Sequence, residues 1–247
     1  MKALRLRRSR RCRRRTVAAW ACTSVLSLAA ALAAVLLPAS GQAAAGAPAW
    51  TLQPARQAPE GADRLAAAGW ACTQSVSWPG PAVLQVSLCR QRGAPADVQL
   101  QLVAHDGHGD GARVMARLAD ASRAGLHLFV PPQPCAASGA ACLDGVLLVD
   151  QRDEGSCYGT QVFVRVDEGL PRSAGFLGEL RVHDGEERCI GAQAQVSGAG
   201  DEAVIELAAP LWRVGGPRGP VALKAVPVRY RLKAGTPTLQ RQPAAPR

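Results

Sequence analysis

Aromatic residues are scarce in this chain: they make up 4% of its 247 residues, while the wider apolar set makes up 48%. Charged residues are few as well, at 19%, and neither a collagen-like glycine period nor a heptad repeat is present. So high an apolar fraction excludes an intrinsically disordered chain, and the missing repeats exclude a collagen rod or a coiled coil. The composition predicts a globular protein that can bury a sizeable core.

Acidic residues are missing from the first 45 residues, which carry Lys2 and eight arginines. The remaining chain holds 20 basic and 19 acidic residues, so the net charge of +10 belongs almost entirely to the N-terminus. Nucleic-acid binding by the folded body is excluded on these grounds, because phosphate contacts need a basic face. Arg229, Arg231 and Lys233 alternate along the last predicted strand, where we interpret them as a guard against edge-to-edge pairing.

An apolar run from Val17 to Leu37 follows the basic segment and leads through Pro38 to the small residues Ala43-Ala44-Ala45. A positive head, an apolar core and an A-x-A site predict a secretory signal peptide over residues 1–45. The run is also long enough to span a bilayer as an uncleaved anchor, which is the only membrane association that the sequence indicates. Abundant alanine and arginine beside few lysines favours a bacterial source. We expect a periplasmic or secreted protein.

No two cysteines of the mature chain stand in the close C-x-x-C spacing that zinc sites use. Six cysteines remain beyond residue 45. An even number in an oxidising compartment indicates three disulfides, although spacing alone leaves many pairings open. Pairing nearest neighbours along the chain predicts Cys72–Cys89, Cys135–Cys142 and Cys157–Cys189.

From Val83 onward, apolar residues recur with a period of two, which indicates β-strands. After the alternating segments around 84–88 and 99–102, the predicted strands are Leu126–Val130, Val146–Asp150, Gln161–Asp167, Glu179–His183, Ile190–Val196, Val204–Leu207 and Val221–Leu232. The dipeptides expected to form turns between strands are Asp106-Gly107, Asp144-Gly145, Glu168-Gly169 and Asp184-Gly185. Residues 112–124 suit a helix or a strand, and we favour a strand because a turn separates them from 98–104.

The predicted fold class is therefore mainly β: an antiparallel β-sandwich or barrel-like domain over residues 70–233, stapled by disulfides, with one or two short helices. Residues 46–69 are predicted to be a flexible leader in which 62–68 forms a short helix. The proline-rich tail, 234–247, is predicted to be disordered. Pro227 is expected to place the last strand at a sheet edge or a bulge.

The densest polar cluster is formed by His105, Asp106, His108 and Asp110. Neutral imidazole and ionised carboxylate are common ligands of divalent metals, so this loop is the candidate metal site. The competing interpretation is a solvated hairpin loop in which Asp-Gly steps form the turn. No other cofactor is expected.

Asp150, Asp153 and Glu154 are predicted to form an acidic loop, and an oxygen-rich loop could serve calcium. It lacks the spacing of a calcium-binding loop, so we favour a solvated loop. Ligand binding by exposed indoles is the other candidate chemistry, because tryptophan stacks on sugars and anchors partners. Trp50 and Trp78 are the candidates, and Trp50 is expected to be exposed because it lies in the leader.

No G-x-S-x-G sequence is present, and spacing supports no Ser-His-Asp arrangement. The leading hypothesis is an exported, non-catalytic β-sandwich protein that binds a protein partner or supports a cell-envelope assembly. One alternative is a module that binds a glycan such as peptidoglycan. The other is a metal-dependent hydrolase that uses the loop with His105 and His108.

Overall fold

A computed structural model describes residues 47–80, 83–93, 100–108, 110–118, 123–133, 141–153, 156–178, 180–183, 187–207, 211–213, 221–223 and 227–243. The predicted signal peptide, Cys135, Glu154, Asp184-Gly185 and the end of the predicted tail lie outside these ranges. Within them, no helix is long and apolar enough to cross a membrane.

The described part of the chain consists mostly of short strands. Its one α-helix, α1, spans Ala62–Ala67, as predicted, and a 3-10 helix spans Gly191–Gln193. The strands are β1 Thr51–Gln53, β2 Trp70–Trp78, β3 Leu84–Gln91, β4 Leu100–Asp106, β5 Arg113–Leu118, β6 Arg123–Val130, β7 Leu143–Asp153, β8 Ser156–Val166, β9 Arg172–Phe176, β10 Leu180–His183, β11 Glu187–Arg188, β12 Ala194–Ala199, β13 Glu202–Leu207, β14 Leu211–Arg213, β15 Val221–Leu223, β16 Val228–Lys233 and β17 Thr236–Arg241.

A five-stranded sheet in the order β1-β6-β7-β8-β9, the central sheet, lies in the middle of the fold. Successive side chains of a strand point to opposite faces, so a strand that is apolar at every position needs cover on both faces. Strand β7 meets this condition: Val146 and Leu148 enter one core, while Leu147 and Val149 enter a second. The central sheet therefore packs against other sheets on both of its faces.

One face is covered by the front sheet, β2-β3-β4-β5, and the shared core includes Trp78, Leu102 and Phe163. Gly145 belongs to strand β7, so the turn expected at Asp144-Gly145 is wrong. The physical reason is packing: a Cβ on Gly145 would lie 2.2 Å from Nε1 of the fully buried Trp78. Glycine here makes room for an indole.

The other face is covered by two smaller sheets, β11-β10-β14-β15 and β12-β13-β16-β17, which together we call the back layer. Their core against the central sheet includes Leu180, Ile205 and Leu232. All strand pairings in the described part are antiparallel. The prediction of an antiparallel, disulfide-stapled β-sandwich is confirmed, and the sandwich has three layers because its central sheet is shared.

Two disulfides lie within the described residues, and both are predicted pairs. Cys72 and Cys89 face each other across β2 and β3, with 3.9 Å between their Cα atoms. Cys157–Cys189 joins β8 to the segment before the 3-10 helix, with a Cα separation of 5.2 Å. Cys142 is also disulfide-bonded. These bonds are consistent with an oxidising compartment.

The predicted flexible leader is ordered from residue 47 and joins all three layers. Ala49 forms a β-bridge with Ser197 in the back layer, β1 pairs with β6 in the central sheet, and Arg56 bridges Ser75 of the front sheet. Sheet edges expose unpaired N–H and C=O groups, and an extended segment can satisfy them whatever its composition. The prediction was wrong because composition carries no information about this pairing.

The predicted disordered tail instead forms β17, which pairs with β16 as far as Arg241. Strand β16 thus lies inside its sheet, between β13 and β17, and Pro227 stands just before it. The basic residues of β16 therefore do not protect a sheet edge, because the strand has neighbours on both sides. Arg229 and Arg231 instead form cross-strand ion pairs with Glu206 and Glu202.

Two further strand predictions can be compared with the structure. Residues 113–118 form β5, as favoured over a helix. The predicted strand Ile190–Val196 is wrong in its first half, which forms the 3-10 helix before β12 begins at Ala194. The cause is a tertiary contact: the Gly191 N–H donates to the buried carboxylate of Asp150.

Candidate functional site

His105, the first residue of the candidate metal loop, is buried at the end of β4 and is 2% exposed. Its Nδ1 donates to the Asp106 carbonyl oxygen at 2.6 Å, so Nε2 accepts a hydrogen bond from the Ser87 hydroxyl at 2.8 Å. Burial lowers the pKa of His105, and the hydrogen bond to Asp106 opposes this shift only in part. The imidazole is therefore neutral, and both of its nitrogens are used inside the protein.

The other three residues of this loop make separate contacts. One oxygen of Asp106 accepts the backbone N–H groups of His108 at 3.0 Å and Asp110 at 2.7 Å, which stabilises the turn. The Asp110 carboxylate accepts a hydrogen bond from Arg64 of α1 at 2.7 Å, and His108 is exposed. The structure does not bring the four side chains together. Among the described residues, no three His, Cys, Asp or Glu side chains converge as a metal site.

Neither candidate tryptophan is available to a ligand. Trp50 is buried against the back layer, and its indole Nε1 donates to the Gly198 carbonyl oxygen at 2.9 Å. Trp78 is fully buried in the core of the front sheet. The expectation that Trp50 is exposed is wrong because the leader that carries it is docked.

Asp150 lies in strand β7 and not in an acidic loop, and it is fully buried. One of its oxygens accepts the Thr160 hydroxyl at 2.6 Å and the Gly191 N–H at 3.0 Å. The other accepts Nε2–H of His127 at 3.0 Å. These four residues, which we call the Asp150 cluster, join three strands of the central sheet to the 3-10 helix.

Gly191 is required in this cluster because a Cβ there would lie 2.6 Å from Asp150 Oδ1 and 2.7 Å from the His127 ring. The carboxylate has a donor for each oxygen, so its buried polar atoms are satisfied. The side chain of His127 is 19% exposed. Chemically, the arrangement fixes a histidine and a helical turn on the sheet, and we interpret it as a structural clamp.

Aromatic side chains distinguish one surface from the rest of the protein. Of the nine aromatic residues in the described part, only Tyr158 and Phe176 are exposed, at 46% and 53%. Both lie at the β8–β9 side of the central sheet. Tyr158 is the unpaired residue of a β-bulge, since Gln151 pairs with Gly159 and Arg152 with Cys157. A bulge redirects side chains, which accounts for its exposure.

The Phe176 ring lies close to the backbone at two glycines. A Cβ on Gly159 would lie 2.6 Å from its Cζ atom, and a Cβ on Gly178 would lie 2.3 Å from its Cε1 atom. Gly159 also has a φ of +152°, which L side chains rarely adopt. Two glycines thus form a seat that holds one side of the ring and leaves the remainder in water.

A row of neutral polar groups runs across the sheet beside this ring. The amide of Gln151, on β7, donates to Gln161 Oε1, on β8, at 3.2 Å. The Gln161 amide in turn donates to the Ser173 hydroxyl, on β9, at 3.3 Å. Gln161 is the direct cross-strand neighbour of Phe176. We call Phe176, Gln151, Gln161 and Ser173 the Phe176 surface.

Sequence reasoning did not find the Phe176 surface. Phe176 is one of three phenylalanines in the chain, and five of the nine described aromatic residues are buried in the core. Its exposure follows from strand pairing, which places it opposite a half-buried glutamine, and from two glycines that are distant from each other in sequence. The glycines before and after it were the only local signal.

No protein-family model, curated protein or solved structure matches this chain. The function must therefore be inferred from the geometry of the molecule.

Proposed function

We propose that this chain is an exported, non-catalytic β-sandwich protein that binds a component of the cell envelope through the Phe176 surface. The signal peptide over residues 1–45 directs it to the periplasm or the exterior of a bacterial cell. Disulfides in the mature domain support that destination, because they persist in oxidising compartments.

The observation that carries this proposal is the exposed ring of Phe176 on its glycine seat. Large aromatic side chains are enriched among residues that dominate binding energy. A ring fixed in place by backbone loses little conformational entropy when a ligand covers it. An exposed aromatic on a rigid sheet is therefore suited to recognition.

Binding is better supported than catalysis because His105 and Asp150, two of the titratable groups that sequence analysis singled out, are used within the fold. His105 has protein partners at both ring nitrogens, and Asp150 is committed to the buried cluster. A general base or a metal ligand needs a free lone pair directed at the substrate or the ion. These two groups therefore do not support the hydrolase alternative.

Site-specific photo-crosslinking in living cells tests the proposal. A photoreactive residue in place of Tyr158, which is exposed on β8 next to Gly159 of the ring's seat, should capture a defined envelope component. The same residue at position 170, where Leu170 is 45% exposed, serves as the control for random encounters. Phe176→Ala should abolish capture at position 158. Capture that survives this substitution, or that is equal at both positions, would contradict binding at this surface.

A further inference from the structure

The Phe176 surface carries no formal charge, since it is built from two amides, a hydroxyl and a phenyl ring. A charged ligand would lose hydration there without gaining a counter-ion. An apolar ligand would instead cover amide groups and leave them without partners. The ligand that fits is neutral, carries hydroxyl groups and has an apolar face for the ring.

The hydrogen-bonding capacity of the row is incompletely used by the protein. The side-chain amide of Gln151 donates one N–H to Gln161, and that of Gln161 donates one N–H to Ser173, so each amide has a second N–H. Ser173 accepts from Gln161 and retains its own O–H as a donor, and it is exposed. Gln161 Oε1 also has a second lone pair. Donors and acceptors therefore alternate beside the ring, as a polyhydroxylated ligand requires.

We infer that the Phe176 surface is a glycan-binding site for a neutral sugar. The apolar C–H face of a pyranose ring stacks on the phenyl ring of Phe176. Hydroxyl groups at the edge of the sugar exchange hydrogen bonds with Gln161 and Ser173, and the buried Gln151 holds Gln161 in position. This inference rests on the proposed function and specifies the chemistry of the ligand.

A protein partner fits the same surface less well. The centre of a protein interface is usually a well-packed apolar patch in which an aromatic anchor is surrounded by further apolar groups. Phe176 instead has Gln161 as its cross-strand neighbour and glycine backbone beneath its ring. Amides beside a single ring match the alternating polar and apolar faces of a sugar better than an apolar anchor pocket.

The test uses the exported, disulfide-intact protein. The probes are arrayed neutral oligosaccharides built from hexoses, pentoses and N-acetylhexosamines, together with insoluble cellulose, chitin and peptidoglycan. We expect binding to at least one class of neutral glycan. Phe176→Ala and Gln161→Ala should each weaken it about tenfold or more, the effect of removing a central contact. Phe176→Trp should retain binding, because an indole provides a larger stacking face.

Leu170→Ala is the matched control, because it truncates an apolar side chain of similar exposure outside the Phe176 surface. It should leave glycan affinity unchanged. Unfolding midpoints of all variants are measured, so that a loss of binding is not a loss of folding. Glycan binding that is insensitive to Phe176→Ala overturns the inference.

The two proposals fail in different ways. No binding to any probe, combined with a protein captured from position 158 in a Phe176-dependent manner, overturns the glycan site and leaves the binding function standing. No binding to any probe and no Phe176-dependent capture overturns both.

Discussion

Replacing Asp150 by alanine removes the only carboxylate of the Asp150 cluster and should destabilise the fold strongly. The Thr160 hydroxyl and the Gly191 N–H are both buried, and each loses its acceptor when the carboxylate is removed. A buried donor without a partner costs about 1–3 kcal/mol. His127 is partly solvated, so its contribution is smaller. Two such buried donors, together with the smaller contribution of His127, give an expected loss of about 3–5 kcal/mol in the free energy of unfolding.

Asp150→Asn is the milder substitution with which the stability loss of Asp150→Ala is compared. The amide oxygen still accepts from Thr160 and Gly191, but the amide N–H groups face Nε2–H of His127, so that one hydrogen bond is lost. We expect a loss of about 1–2 kcal/mol. Asp153→Ala, at the end of the same strand, is the control and should change stability by no more than about 0.5 kcal/mol.

Equilibrium unfolding in urea, with the disulfides intact, measures these three free energies, and an unchanged m-value shows that the comparison is valid. Amide hydrogen exchange at Gly191 reports the same loss locally, because its N–H would no longer be protected by the carboxylate. A cost below about 1 kcal/mol for Asp150→Ala would refute the cluster as a structural clamp. So would an equal cost for alanine and asparagine.

Three further substitutions test other parts of the fold. The pKa of His105 is lowered in the folded protein, so below the unperturbed value of 6.5 the unfolded chain binds more protons than the folded one. The free energy of unfolding of the wild type, relative to that of His105→Gln, should therefore fall with decreasing pH by at most about 1.4 kcal/mol per pH unit. Plots of unfolding free energy against pH that run parallel for the two proteins would contradict this. Gly145→Ala inserts a methyl group 2.2 Å from the Trp78 indole and should cost about 1–3 kcal/mol in urea unfolding, whereas Gly235→Ala, in open space, should cost little. Trp50→Ala should lower the free energy of unfolding by about 3–5 kcal/mol, whereas Leu52→Ala, on the same segment but 47% exposed, should lower it much less. If the two variants are equally stable, the prediction of a flexible leader would be supported instead.

The features that sequence alone predicted are those set by local chemistry. Alternating apolar residues specify strands, and cysteines that are neighbours along the chain face each other, as Cys72 and Cys89 do. Helix α1 is likewise local, since Leu65 supplies its buried side and Gly61 precedes it. Strand existence and disulfide staples could therefore be predicted before any tertiary arrangement was known.

The features that were missed depend on segments distant in the chain. The leader is ordered because Ser197 and Ser75, in two different sheets, pair with it. Asp150 looked like part of a solvated acidic loop because His127, Thr160 and Gly191 come from three other elements. A single sequence contains each partner but not the pairing that unites them, so both the ordered leader and the cluster lay beyond local reasoning.

The Asp150 cluster and the Phe176 surface share strands, so the stability of the fold is coupled to the binding that we propose for this surface. Gln151 directly follows Asp150 on β7, and Gly159 directly precedes Thr160 on β8. The carboxylate that binds Thr160 therefore fixes the backbone that seats the ring, while Cys157–Cys189 anchors the same end of β8. A binding surface gains affinity when its groups are held in place before the ligand arrives, because less conformational entropy is lost on binding. A buried cluster beneath an exposed ring is one way to achieve this in a chain that has few aromatic residues to place on its surface.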